Sequence, residues 1–133
     1  MVRSPWTMDG SMEPCVISIG SSGKVLASRA TVARTFLSRA IGLLGRRGLS
    51  DGEAMVFPRC NSIHTLGMRF PIDAVFVDRE WRVVALRSAL GSGRMVWSVP
   101  GAWGVIELAC GTLERIGVQV GDSLRVAMEP KLV

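Results

Sequence analysis

The chain has 133 residues, carries 16 Lys+Arg against 11 Asp+Glu for a formal net charge of +5, and is 48% hydrophobic. That apolar share excludes a disordered tail protein. With only 3 Cys and no glycine or proline period, the sequence is neither a disulfide scaffold nor collagen-like.

One domain is the expected organisation for this length. Residues 1–13 are expected to be a disordered leader, with 14–133 forming a single domain. Pro5, Asp9, Gly10 and Glu13 occupy the place where the apolar core of a signal peptide would lie. No stretch approaches the roughly 20 apolar residues of a membrane-spanning helix. The expected compartment is therefore the cytoplasm, where Cys15, Cys60 and Cys110 would be reduced. Cys15 and Cys110, each beside apolar neighbours, are expected in the core.

Cys15 to Ile19 reads as a short strand, Gly20 to Gly23 as a turn, and Lys24 to Ser28 as the returning strand of a hairpin. A helix is expected next. Val32, Ala33, Phe36, Leu37, Ala40, Ile41 and Leu44 recur at helical spacing, and Gly45, Arg46 and Arg47 suit its C-terminal end. Acidic residues are absent from Pro14 to Ser50, whereas Lys24, Arg29, Arg34, Arg39, Arg46 and Arg47 fall inside that span. A basic face follows, but no aromatic residues interleave these arginines and no helix-turn-helix or zinc-finger pattern appears. The face therefore reads as solvated surface and not as a nucleic-acid site.

Ser50 to Glu53 is a loop. Ala54–Phe57, Ile63–Met68 and Ile72–Val77 are expected strands. A turn over Asp78–Trp81 leads to a returning strand, Arg82–Leu86. Residues 91–104 hold four glycines, Pro100, Trp97 and Trp103, and predict a long irregular connection. Val105–Cys110 is a strand with Glu107 in its middle, Gly111–Arg115 a short helical turn, and Ser123–Met128 the last strand. About seven short strands in adjacent runs predict a mainly β (α+β) fold: an antiparallel sandwich or partly open barrel with one packed amphipathic helix.

Gly42-Leu-Leu-Gly-Arg46, Cys60-x-x-Ile63-His64-Thr65, Met68, Pro71-Ile72-Asp73, Val75-Phe76-Val77-Asp78, Glu107-Leu108-x-x-Gly111 and Gly121-Asp122 form one further pattern. It resembles the DUF192 family of small bacterial and archaeal domains, over roughly Leu26 to Met128. The resemblance implies a compact, mostly β domain with one main helix and no established activity. It carries over no catalytic residue.

Cys60, His64 (the single histidine), Thr65, Met68 and Asp73 are the densest group of chemically capable side chains. In an extended segment His64, Leu66 and Met68 would face one way and Ile63, Thr65 and Gly67 the other, with Cys60 bending back toward His64. Four chemistries compete. Cys60 and His64 have the residue types of a nucleophile and base, oriented by Asp73 or Glu107. Cys60, His64 and Met68 are soft metal ligands, short of the four that structural zinc takes. His64, Thr65, Met68, Asp73, Glu107, Trp97 and Trp103 would line a small-ligand pocket under the Gly/Trp loop. Finally, His64, Thr65 and Asp73 would form a buried hydrogen-bond network that fixes loops. Asp73 could alternatively cap a turn, and Glu107 pair with Arg69 or Arg46.

The reading adopted is a binding or accessory module for a small ligand or protein partner, monomeric and without cofactor or resident metal, rather than an enzyme. A Cys60/His64-dependent hydrolase or transferase is the alternative, and a Cys/His/Met metal-binding protein a further one. The central expectation is that His64 and Asp73 share one fixed locale.

Overall fold

A computed structural model describes residues 15–32 and 48–128. The expected leader, the helix positions from Ala33 to Leu44, Gly45, and Arg34, Arg39, Arg46 and Arg47 of the basic face lie outside the described residues.

The chain runs through β1 (Cys15–Ile19), β2 (Val25–Val32), β3 (Glu53–Pro58), β4 (Ile63–His64), β5 (Ile72–Val77), β6 (Val83–Leu90), β7 (Met95–Val96), β8 (Gly104–Ala109), α1 (Thr112–Ile116) and β9 (Leu124–Met128). Seven strands form one sheet in the order β6-β5-β8-β3-β2-β1-β9, and β4 and β7 form a separate two-stranded ribbon. The mainly β class is as expected.

Every neighbouring pair in the large sheet is antiparallel except β2 and β3, which run parallel. This pairing corrects one boundary: Val32, expected to open the helix, lies in β2 opposite Val56. Two β-branched residues, Thr31 and Val32, extend the strand once a partner is available. Parallel neighbours need a crossover of about a dozen residues or more, so β2 and β3 cannot form a hairpin.

The strands β5 and β8 are buried along their whole lengths. Both of their faces are covered, which is why IDAVFV and GVIELA read as near-continuous apolar runs. Val75, Val77, Ile106 and Leu108 join the core on one face, with Ile17, Leu26 and Val126. Ala74, Phe76 and Val105 pack on the other face beneath Ile63 and Val99 of the ribbon region.

The two edge strands meet at one end. Arg82 bridges Ser123, Val83 N–H donates to Asp122 C=O at 2.8 Å, and Leu124 N–H donates to Trp81 C=O at 2.9 Å. The sheet therefore curls into the partly open barrel expected from the strand pattern.

Candidate functional site

Asp73 is 1% exposed near the start of β5, one strand in from the sheet edge. Its carboxylate is fully engaged by backbone donors: Ala89 N–H to Oδ1 at 2.9 Å, and Gly111 and Leu113 N–H to Oδ2 at 3.1 and 3.0 Å. The helix α1 explains the need. Its N-cap residue is Gly111, which offers no side-chain acceptor. Asp73 supplies the cap from a strand nearly forty positions earlier, placing negative charge at the helix N-terminus. The same carboxylate pins Ala89, a non-glycine residue at φ 52 that kinks the end of β6.

Thr65 has 0% exposure and works in the same way. Its hydroxyl donates to Gly91 C=O at 2.6 Å and accepts from Arg94 N–H at 2.9 Å. Its backbone N–H donates to Arg94 C=O, and its carbonyl accepts from Gly93 and Met68 N–H. Thr65 thus staples the β4 end to the connection before β7. Its carbonyl also turns the chain, so the strand expected over Ile63–Met68 stops at His64. Met68 is consequently buried beside Ile72, not outward with His64.

Strand alternation separates the other candidates. Asp73 shares the face of Val75 and Val77, whereas Glu107, paired across from Ala74, shares the face of Phe76 and Val105. The two buried carboxylates lie on opposite faces of one sheet and line no common pocket. His64 is exposed on the outside of the ribbon. His64 is thus exposed and Asp73 buried, and among the described residues no hydrogen bond joins them. Thr65 and Asp73 do each fix loops by hydrogen bonding, but His64 takes no part in that bonding.

Cys60 is 8% exposed within the apolar cluster of Phe57, Ile63 and Phe76, and its thiol donates to Ser62 C=O at 2.8 Å. Cys15 is buried as expected, but Cys110 is exposed, because β8 ends at Ala109 and Cys110 enters the turn at Gly111. Iodoacetamide is accordingly expected to modify Cys110 on the order of tenfold faster than Cys60, since access limits the rate. A mass-mapped time course with Cys60 reacting first would restore the nucleophile reading.

A concave site lies elsewhere. Arg59, Asn61, Arg79, Ala102 and Trp103 line an open cleft of about 540 Å³. Its origin is the register of β8. Gly104 pairs with Pro58 on one side and with Val77 on the other. Arg59, one residue past Pro58, and Arg79, two past Val77, therefore emerge at the same rim, beside Ala102 and Trp103, which precede Gly104. A Cβ at Gly104 would sit 3.3 Å from Phe57 O and 3.7 Å from Val77 Cγ2, so the close approach of the three strands favours glycine.

Backbone hydrogen bonds lock the rim: Cys60 N–H to Trp103 C=O at 2.8 Å, and Trp103 N–H to Val77 C=O at 2.7 Å. Trp81 stands edge-on to Trp103 at a ring separation of 6.2 Å. Arg59 at φ 53 and Trp81 at φ 62 both hold left-handed backbone without being glycine. Such positions concentrate at sites whose surroundings over-determine them. Of the sequence candidates only Trp103 reaches this cleft. The arginines carry no periodic or motif signal, since the sheet order alone unites them.

Comparison with known proteins supports the same fold. A UPF0127 protein of Thermococcus sibiricus is 31% identical over 108 residues, covering 78% of this chain and 70% of that protein. A crystal structure of a protein of unknown function from Novosphingobium aromaticivorans superposes with a TM-score of 0.72 at 24% identity, covering 94% of this chain and 91% of that one. A putative transcription regulator from Sinorhizobium meliloti superposes with a TM-score of 0.75 at 22% identity, covering 87% and 94%. At these identities the two solved structures bear on fold alone. The family model for DUF192, an uncharacterized ACR, matches residues 17–126, and this chain belongs to that family.

Proposed function

We propose that the domain is a small-ligand binding module and that its ligand is an anion, a phosphate or carboxylate, taken at the cleft of Arg59, Asn61, Arg79 and Trp103. The observation that carries this reading is that two arginines, an asparagine and a tryptophan line a single cavity. Guanidinium groups present paired donors that match the oxygens of carboxylate and phosphate. An indole edge or face offers cover for an apolar or aromatic remainder of the ligand.

The earlier candidate set of His64, Thr65 and Asp73 fits this role less well. Thr65 and Asp73 already spend their polar atoms on backbone groups. A Cys60/His64 hydrolase is disfavoured by the same geometry, since the thiol turns inward and the imidazole outward.

The test is titration of the protein with inorganic phosphate and then phenyl phosphate, followed by the Trp103 indole N–H and the arginine side-chain resonances. Both ligands should shift these signals, the aryl phosphate more strongly. Arg79→Ala and Arg59→Ala should each weaken binding. Unmoved resonances at tens-of-millimolar ligand would refute the assignment.

Arg59→Gly separates function from stability. Glycine relieves a left-handed cost of about 1–2 kcal/mol and adds about 0.5–1 kcal/mol of chain entropy in the unfolded state. The variant is expected to match or exceed the parent in urea midpoint while binding phosphate as poorly as Arg59→Ala.

A further inference from the structure

We propose that the outer face of the β4–β7 ribbon binds a soft monovalent metal ion, copper(I) or its analogue silver(I), between the His64 imidazole and the Met95 thioether, with the Trp97 indole beside it. This site is separate from the anion cleft and does not depend on it.

His64 and Met95 are direct partners across the ribbon. The next pair is Thr65 and Arg94, joined by Thr65 N–H to Arg94 C=O at 2.8 Å. Antiparallel pairs alternate between hydrogen-bonded and non-hydrogen-bonded types, so His64 and Met95 form the second type. In such pairs the side chains lie closest, with Cβ atoms about 4.5–5.5 Å apart. His64 is exposed, Met95 is 46% exposed, and Trp97, two residues further on, is 69% exposed. Trp97 directly follows the end of β7, two positions after Met95. The chain's single imidazole is thus paired with a thioether on an open surface, with an exposed indole two positions along the chain.

The donor set selects the ion. Thioether sulfur and imidazole nitrogen favour copper(I), whereas magnesium, calcium and manganese ask for oxygen ligands. No Asp or Glu occurs between Arg59 and Ile72 or between Arg82 and Ile106, so the ribbon and its flanks offer no carboxylate. Structural zinc takes four ligands, and among the described residues no group of three or more His, Cys, Asp or Glu is assembled for a metal. A closed-shell monovalent ion accepts two donors. The exposed Arg94, next to Met95 in the ribbon, repels a divalent ion twice as strongly as a monovalent one, because the Coulomb energy scales with charge. The π face of Trp97 attracts a cation that approaches it.

The experiment uses the full chain carrying Cys110→Ser, because the exposed thiol would compete for the ion. Methionine methyl groups are ¹³C-labelled and silver(I) is added. One equivalent should move the Met95 methyl and the His64 ring resonances and quench tryptophan emission. His64→Ala and Met95→Leu, both surface changes that should leave the far-ultraviolet spectrum unaltered, should each lower affinity about tenfold or more. Trp97→Leu should still bind but lose the quenching. A Met95 methyl that stays put at stoichiometric silver, or a His64→Ala variant that binds as the parent does, overturns the proposal.

Discussion

Replacing Asp73 by alanine is expected to cost about 3–5 kcal/mol of folding stability, because three backbone N–H groups lose their acceptor together and each orphaned buried donor costs about 1–3 kcal/mol. The loss is large because the three donors belong to separate parts of the chain. Ala89 lies at the kinked end of β6, while Gly111 and Leu113 open α1. Neither segment has another acceptor built for it: Gly111 cannot cap its own helix, and Ala89 holds a left-handed backbone that needs anchoring.

Asp73→Asn should be nearly as damaging. Its amide has one acceptor oxygen, so its NH₂ must face either Ala89 N–H or the Gly111 and Leu113 pair, donor against donor. For a chain of this size the alanine variant should melt about 10–20 °C lower. Thermal and urea unfolding of both variants measure this. A loss below about 1 kcal/mol would show that the carboxylate is not the common acceptor.

Thr65→Val, the second largest expected effect, should destabilise by about 2–3 kcal/mol. The shapes match, but valine neither donates to Gly91 C=O nor accepts from Arg94 N–H. The consequence should be local before it is global. Amide exchange at Thr65, Gly93 and Arg94 should quicken while the centre of β5 and β8 stays protected, because the staple holds the ribbon and not the sheet. Thr65→Ser keeps both hydrogen bonds and should lose less than about 1 kcal/mol. The same variant bears on the metal proposal: if the staple sets the ribbon register, Thr65→Val should weaken silver binding even though residue 65 faces inward.

Much of this architecture is legible in the residues. IDAVFV between Pro71 and the Asp78 turn predicts β5 to the residue, since a short apolar run with β-branched members and clear breakers has few other uses. The first hairpin and the short helical turn are legible for similar local reasons: Gly20 to Gly23 marks the turn, and Gly111 and Gly117 bracket α1.

Errors arise where a distant partner decides. The strand β2 runs on to Val32 because β3 lies alongside it, and β6 runs on to Leu90 because Ala89, anchored by Asp73, accommodates a bulge. The strand begun at Ile63 is cut short because Thr65 bonds across to residues 91–94.

The same division holds for the candidate site. Alternation within β5 and β8 is written in the sequence, but only their mutual register puts Asp73 and Glu107 on opposite faces. Proximity along the chain suggested that His64, Thr65 and Asp73 act together. In the folded chain Thr65 and Asp73 serve different loops, and His64 faces outward.

The sequence by itself determined the DUF192 membership, the mainly β class and the strands bounded by their own breakers, because local propensity and turn chemistry act over a few residues. The tertiary structure alone decided which side chains meet: Arg59 with Arg79 around Gly104, and His64 with Met95 across the ribbon. These encounters depend on strand order and register, which are set by backbone pairing between segments far apart in the chain. No pattern within either segment encodes them.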